Sequence, residues 1–135
     1  MARQIFVNLP AKNLPTSREF FIKLGFEFNP QFTNDEGACI VVSDTIFVML
    51  LTETYFKTFT KKPVADATKT MEVIMAISAD SRSAVDEMVN RALQAGGTKS
   101  NAPQDYGWMY SCSFQDLDGH LWEILYADQS AIPQS

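Results

Sequence analysis

The chain has 135 residues, enough for one compact unit with a real core, and its 46% apolar and 20% charged composition is that of a folded globular protein. A net charge of −5, with no basic block longer than Lys61-Lys62, excludes a surface built to neutralise nucleic-acid phosphates. No apolar run approaches the roughly 20 residues of a membrane-spanning helix, and residues 1–8 lack the apolar core and cleavage site of a signal peptide, so a cytoplasmic protein is expected.

Residues 3–9 alternate Ile5, Val7 and Leu9 against Gln4, Phe6 and Asn8, which predicts a strand bounded by Pro10. Asn13-Leu14-Pro15-Thr16-Ser17 starts a helix that carries Phe20, Phe21 and Leu24 at helical spacing until Gly25 interrupts it. Strands are expected at 26–33, 38–43 and 45–52, with Asn34-Asp35-Glu36-Gly37 as a turn. This first module, about 1–60, is therefore βαβββ. Its tail, 54–60 with Tyr55, Phe56 and Phe59, reads as a flap over a cavity or a segment docked on a second subunit, and 61–70 with Pro63 reads as a linker.

The order then repeats in a second module, about 71–127. Residues 71–78 predict a strand, and Asp80-Ser81 caps a helix with Val85, Met88, Val89, Ala92 and Leu93 on one face, closed by Gly96-Gly97. Residues 98–104 predict a poorly marked strand, 108–115 a clearer one, and 114–126 a hairpin turning at Asp116-Leu117-Asp118-Gly119. The fold class is therefore α+β, two βαβββ modules whose mixed, curved sheets enclose a cavity.

In the last arm, alternation places Leu121, Glu123 and Leu125 on one face and Trp122, Ile124 and Tyr126 on the other. Both faces are apolar, so burial on both sides is expected, with Glu123 left as a lone carboxylate. Such a group is costly without a partner, which makes Glu123 the leading candidate for a ligand anchor or a base, against the simpler reading of a satisfied core polar group. His120 is out of phase with Glu123 and is expected to face solvent. Asp116 and Asp118 are expected to stabilise the turn. Trp108, beside Gly107, is the candidate aromatic wall for a planar ligand, while Tyr106, Tyr110, Trp122 and Tyr126 read equally well as core. Cys39 and Cys112, far apart and without a neighbouring His, read as buried reduced thiols.

Two βαβββ modules ending in Asp-x-Asp-Gly-x-x-x-Glu (Asp116, Asp118, Gly119, Glu123) resemble the vicinal oxygen chelate superfamily of glyoxalase I, bleomycin- and fosfomycin-resistance proteins and extradiol dioxygenases. The run from Val7 to Leu14 followed by Phe20 to Phe26, ending Leu-Gly-Phe, is similar to that family's opening strand, turn and helix. Metal-using members take four ligands, His, Glu or Gln, from the first and last strands of each half. Carried over by local motif, those positions fall at Phe6, Leu50, Ile74 and Glu123. Only Glu123 has a donor atom; a one-residue shift offers Asn8 but otherwise Val48, Thr52, Ala76 and Ser78.

The resemblance therefore implies a family member without the usual metal or any other cofactor. The expected function is binding of a small-molecule ligand in a cavity lined by Phe6, Asn8, Leu50, Ile74, Trp108 and Glu123. The alternative is a lyase or isomerase of the glyoxalase I type with Glu123 as catalytic base and Asn8 as the one inward group able to stabilise an oxyanion. The resemblance also implies a homodimer, and the net charge and short apolar runs noted above leave no nucleic acid and no membrane among the expected partners.

Overall fold

The computed structural model describes residues 2–133, and the chain divides into two compact units, Met1–Asp66 and Ala67–Ser135. The fold is α+β with two mixed, open sheets. In the first unit β1 (Ile5–Ala11), α1 (Leu14–Lys23), β2 (Glu27–Phe28), β3 (Gly37–Val41) and β4 (Ile46–Thr52) give the sheet order β1-β4-β3-β2, followed by the short helix α2 (Glu53–Phe56). β1 runs parallel to β4, and the remaining pairs are antiparallel.

The start of α1 follows from its cap: the Asn13 side chain accepts the Thr16 backbone N–H at 3.2 Å, and Pro15 lies in the first turn. Phe28 pairs with Ile40 and lies under the Arg18 guanidinium, 5.8 Å from the ring centroid. The face of the sheet that carries Ile40 is therefore the one α1 covers. Leu9, Ala11, Ala38, Val48 and Leu50 are in phase with it, and all are buried. The opposite phase holds Phe6, Asn8, Phe47, Met49 and Leu51, with Phe6 stacked on Phe47 at 4.8 Å yet 43% exposed.

The second unit repeats the plan with β5 (Ile74–Ser78), α3 (Arg82–Gln94), β6 (Thr98–Lys99), β7 (Gln104–Asp105), β8 (Met109–Gln115) and β9 (Leu121–Ala127). Its sheet order is β5-β9-β8-β6, with β7 also on β8, and again the first strand is parallel to the last. Ser81 caps α3 by accepting the Ala84 N–H at 3.0 Å, and Val85, Val89 and Ala92 are buried. Asp86 of α3 meets Tyr110 and Cys112, so α3 covers the phase of β8 and β9 that carries Tyr110, Cys112, Phe114, Trp122 and Ile124. Phe114, Trp122 and Ile124 are fully enclosed. No helix among the described residues is long and apolar enough to cross a membrane.

Several sequence expectations change here. The strand expected at 26–33 shrinks to Glu27–Phe28, because Asn29 accepts the Gln31 N–H at 2.9 Å and Pro30 opens a 3-10 turn instead. The strand expected at 98–104 is two separate two-residue bridges, β6 and β7, interrupted around Pro103. Glu123 is half-buried rather than enclosed, because only the Trp122 and Ile124 phase of β9 lies under a helix. His120 is buried rather than solvent-facing, since it shares that covered phase.

Candidate functional site

The antiparallel ladder of β8 and β9 places Ser113 opposite Glu123, and that of β7 and β8 places Gln104 opposite Ser111. Directly paired residues point to the same side of a sheet, so these four side chains share the face away from α3. With Asn101 and Ala102 they line a pocket of about 60 Å3. Ser113 Oγ accepts the Asn101 N–H at 3.1 Å and Gln104 Oε1 accepts the Tyr106 hydroxyl at 3.3 Å. The Glu123 carboxylate makes no hydrogen bond or ion pair among the described residues, and neither does the Ser111 hydroxyl, although Ser111 is only 3% exposed.

The pocket wall formed by 101–107 is exposed throughout and needs an external tie. Arg82, the first residue of α3, supplies it. Its guanidinium donates to both Asp105 oxygens at 2.8 and 3.0 Å and to the Gly107 carbonyl at 3.0 Å, and lies 5.2 Å from the Tyr110 ring centroid. Gly107, at φ 82, donates its own N–H to Asp105 at 2.9 Å. The Arg82 bond, with that from Gly107, holds the Asp105 carboxyl at about 2. Behind the pocket the Tyr110 hydroxyl donates to Asp86 at 2.5 Å, which pushes the phenol up, and burial pushes the Cys112 thiol up. Cys39 and Cys112 are both free and buried.

The hairpin that presents Glu123 is fastened from the other side of the sheet. Asp116 Oδ1 accepts the backbone N–H of Asp118 at 2.9 Å and of His120 at 3.0 Å, while Oδ2 accepts the Trp122 indole N–H at 3.0 Å. Gly119, at φ 86, lies so close to Ala67 and Thr68 that an added Cβ would come within 2.9 Å of backbone atoms. Burial raises the Asp116 carboxyl, and His120 and the N–H donors pull it back. Asp116, Asp118 and His120 have potential ligand atoms within 4.8 Å of one another. Asp116 spends both oxygens on three N–H groups, so the arrangement is that of a buried turn anchor.

The structure brings together only part of the set expected from sequence. Ile74 lies on the same face as Glu123, one row away opposite Leu121, and is 51% exposed. Phe6 and Asn8 lie on the open face of the first sheet, where the Asn8 amide donates to the Phe6 carbonyl at 3.4 Å. Leu50 does not join them: it pairs with Leu9 on the α1 side, fully buried, because a one-residue offset in a strand reverses the face. Trp108 is half-buried in the turn between β7 and β8, in phase with Tyr110 and not with Ser111 and Glu123. The expected flap is α2 and a 3-10 turn (Lys57–Phe59), in which Tyr55 and Phe59 meet edge to face at 5.1 Å. A broader cleft of about 420 Å3 in the first unit is lined by Lys12, Glu53, Lys57 and 63–66; Lys12 lies 3.7 Å from Asp66, and its charges balance.

Sequence reasoning missed Ser111, Ser113 and Gln104. The signal was available in the alternation of 109–115, which puts both serines in the same phase, but the pairing that sets them beside Glu123 is a matter of register. As a divalent-metal site the carried-over positions do not fit. One carboxylate beside serine hydroxyls lacks the several nitrogen or carboxylate ligands such an ion requires, and Phe6, Leu50 and Ile74 offer no lone pair.

The description Glyoxalase/Bleomycin resistance protein/Dioxygenase superfamily matches residues 3–124. Among solved structures, a hypothetical protein, SA1046 from S. aureus, is 26% identical with a TM-score of 0.79, over 94% of this chain and 95% of that one. A glyoxalase/bleomycin resistance protein/dioxygenase family enzyme from Burkholderia phytofirmans superposes with a TM-score of 0.76 at 16% identity, over 93% and 99%. A bleomycin resistance determinant encoded on the transposon Tn5 gives 0.65 at 17%, over 94% and 99%. No curated protein matches. With the family's description spanning all but the ends of the chain, and the doubled βαβββ plan in both sheets, this protein belongs to the glyoxalase/bleomycin resistance/dioxygenase superfamily.

Proposed function

We propose that the protein is a metal-independent binder of small organic molecules that uses the open face of its second sheet around Glu123. The observation that carries this reading is the Glu123 carboxylate, half-buried in a pocket and without a protein partner among the described residues. No buried side-chain polar atom among the described residues is left unsatisfied, so the unpaired Glu123 carboxylate and Ser111 hydroxyl are open to the pocket, and side by side there they mark a place for a ligand. Ile74, on the same sheet face as Glu123, is proposed as a further ligand contact. A homodimer is proposed from the apolar side chains exposed at the edge strands and beside them, Ile5, Phe6 and Ile46 in the first unit and Met71, Val73 and Ile74 in the second. The free thiols of Cys39 and Cys112 suit a cytoplasmic setting.

The second reading is a lyase or isomerase in which Glu123 removes a proton next to a carbonyl. It is favoured by the Ser111 and Ser113 hydroxyls and the Gln104 amide, donors that can face a developing oxyanion on the same side of the sheet. Elemental analysis followed by nickel, zinc, manganese and iron(II) titration of wild type and Glu123→Gln tests the metal-independent reading. No stoichiometric metal in either protein is expected. Stoichiometric metal in the wild type that is lost in the variant would overturn it.

A further inference from the structure

We infer that the Glu123 pocket receives the protonated amine end of its ligand, an inference that rests on the binding reading above. Glu123 brings a carboxylate with no counter-ion among the described residues, and no Lys, Arg or His lines the pocket. The nearby arginine, Arg82, is fully engaged by Asp105 and the Gly107 carbonyl. A ligand carboxylate or phosphate would meet repulsion with nothing to offset it, whereas an ammonium group forms a charge-assisted hydrogen bond to Glu123.

The remaining polar groups fit the same occupant. Ser111, 3% exposed and without a side-chain partner, offers its hydroxyl oxygen to a second ammonium proton. Ser113 Oγ and Gln104 Oε1 are already accepting from Asn101 and Tyr106, so they do not compete for it. Size limits what enters. About 60 Å3 holds a head group of a few heavy atoms, far below the several hundred Å3 of a pocket that encloses a whole drug-sized molecule. The body of the ligand must therefore rest outside, on the same sheet face, where Ile74, Leu121 and Leu125 are in phase with Glu123. The ligand class is an aliphatic or aromatic amine, with its charge at one end.

The test is calorimetric titration of the full chain in EDTA-containing buffer at pH 7 with hexylamine, hexanol and hexanoate, on wild type, Glu123→Gln and Ser111→Ala. Wild type should bind hexylamine about tenfold more tightly than hexanol, the expected advantage of one charge-assisted hydrogen bond, and hexanoate most weakly. Glu123→Gln should bring hexylamine down to the level of hexanol, and Ser111→Ala should lower hexylamine affinity by a smaller factor. Equal binding of amine and alcohol by wild type, or an amine preference that persists in Glu123→Gln, would overturn the inference while leaving the binding reading intact. Failure of all three compounds to bind wild type would overturn both. The wild-type comparison alone decides the case if a variant does not fold.

Discussion

The two modules share a strand order but not a chemistry. In each, the first strand runs parallel to the last, and one helix covers one phase of the sheet. The uncovered phase of the first is apolar but for Asn8, with Phe6 on Phe47 and Leu51 beside them, whereas that of the second sets Ser111, Ser113, Gln104 and Glu123 beside Ile74, Leu121 and Leu125. The hairpins differ as well. The turn between β3 and β4 closes with Val42 and Ser43 N–H groups on the Ile46 carbonyl, while that between β8 and β9 is built on the buried Asp116 carboxylate. The same topology thus tolerates opposite surfaces, and the module that presents polar groups is also the one with the more elaborate anchor.

The sharpest break in this comparison is Asp116→Ala, which strips the acceptor from two backbone N–H groups and the Trp122 indole in a buried site. A loss of about 4 kcal/mol in urea unfolding is expected, and a loss below about 1 kcal/mol would show that the anchor is ornamental. Next come two substitutions on opposite faces of the first sheet. Leu50→Ala should cost about 3 kcal/mol as a core truncation, and Phe6→Ala, partly exposed, about 1 kcal/mol. Equal losses would contradict the assignment of Leu50 to the enclosed side and Phe6 to the open one.

The smallest effect is on pH. Asp105 is held at about 2, below its ordinary 3.8, by Arg82. A depressed carboxyl contributes stability that is present above its unfolded value and is lost as pH falls through the folded one. The tie of the 101–107 wall should therefore weaken between about pH 4 and pH 2, seen as a falling protection factor of the Gly107 amide relative to its intrinsic exchange rate at each pH. Asp105→Asn should abolish that pH dependence.

Much of the fold was legible in residues that act locally. Asn13 and Ser81 mark the helix starts, Gly25 and Gly96 take positive φ where the helices stop, and Asp-Gly at 118–119 gives the final turn. What escaped was set by register and by tertiary cover. The family motif placed a site position at Leu50, but the β1–β4 pairing turns that residue toward α1. His120 reads as a polar residue after a turn, and only the phase it shares with Trp122 and Ile124 explains its burial. Glu123 was visible as an isolated carboxylate, whereas Ser111 and Gln104 became candidates only once three strands were laid side by side.

The central claim, that the ligand site lies on the second sheet around Glu123 and needs no metal, is tested most directly by amide chemical-shift mapping in EDTA during titration with hexylamine. The account predicts shifts concentrated at Gln104, Ser111, Ser113 and Glu123, saturating without added metal. Shifts confined to the Lys12–Lys57 cleft, or shifts that appear only after a divalent ion is supplied, would contradict it.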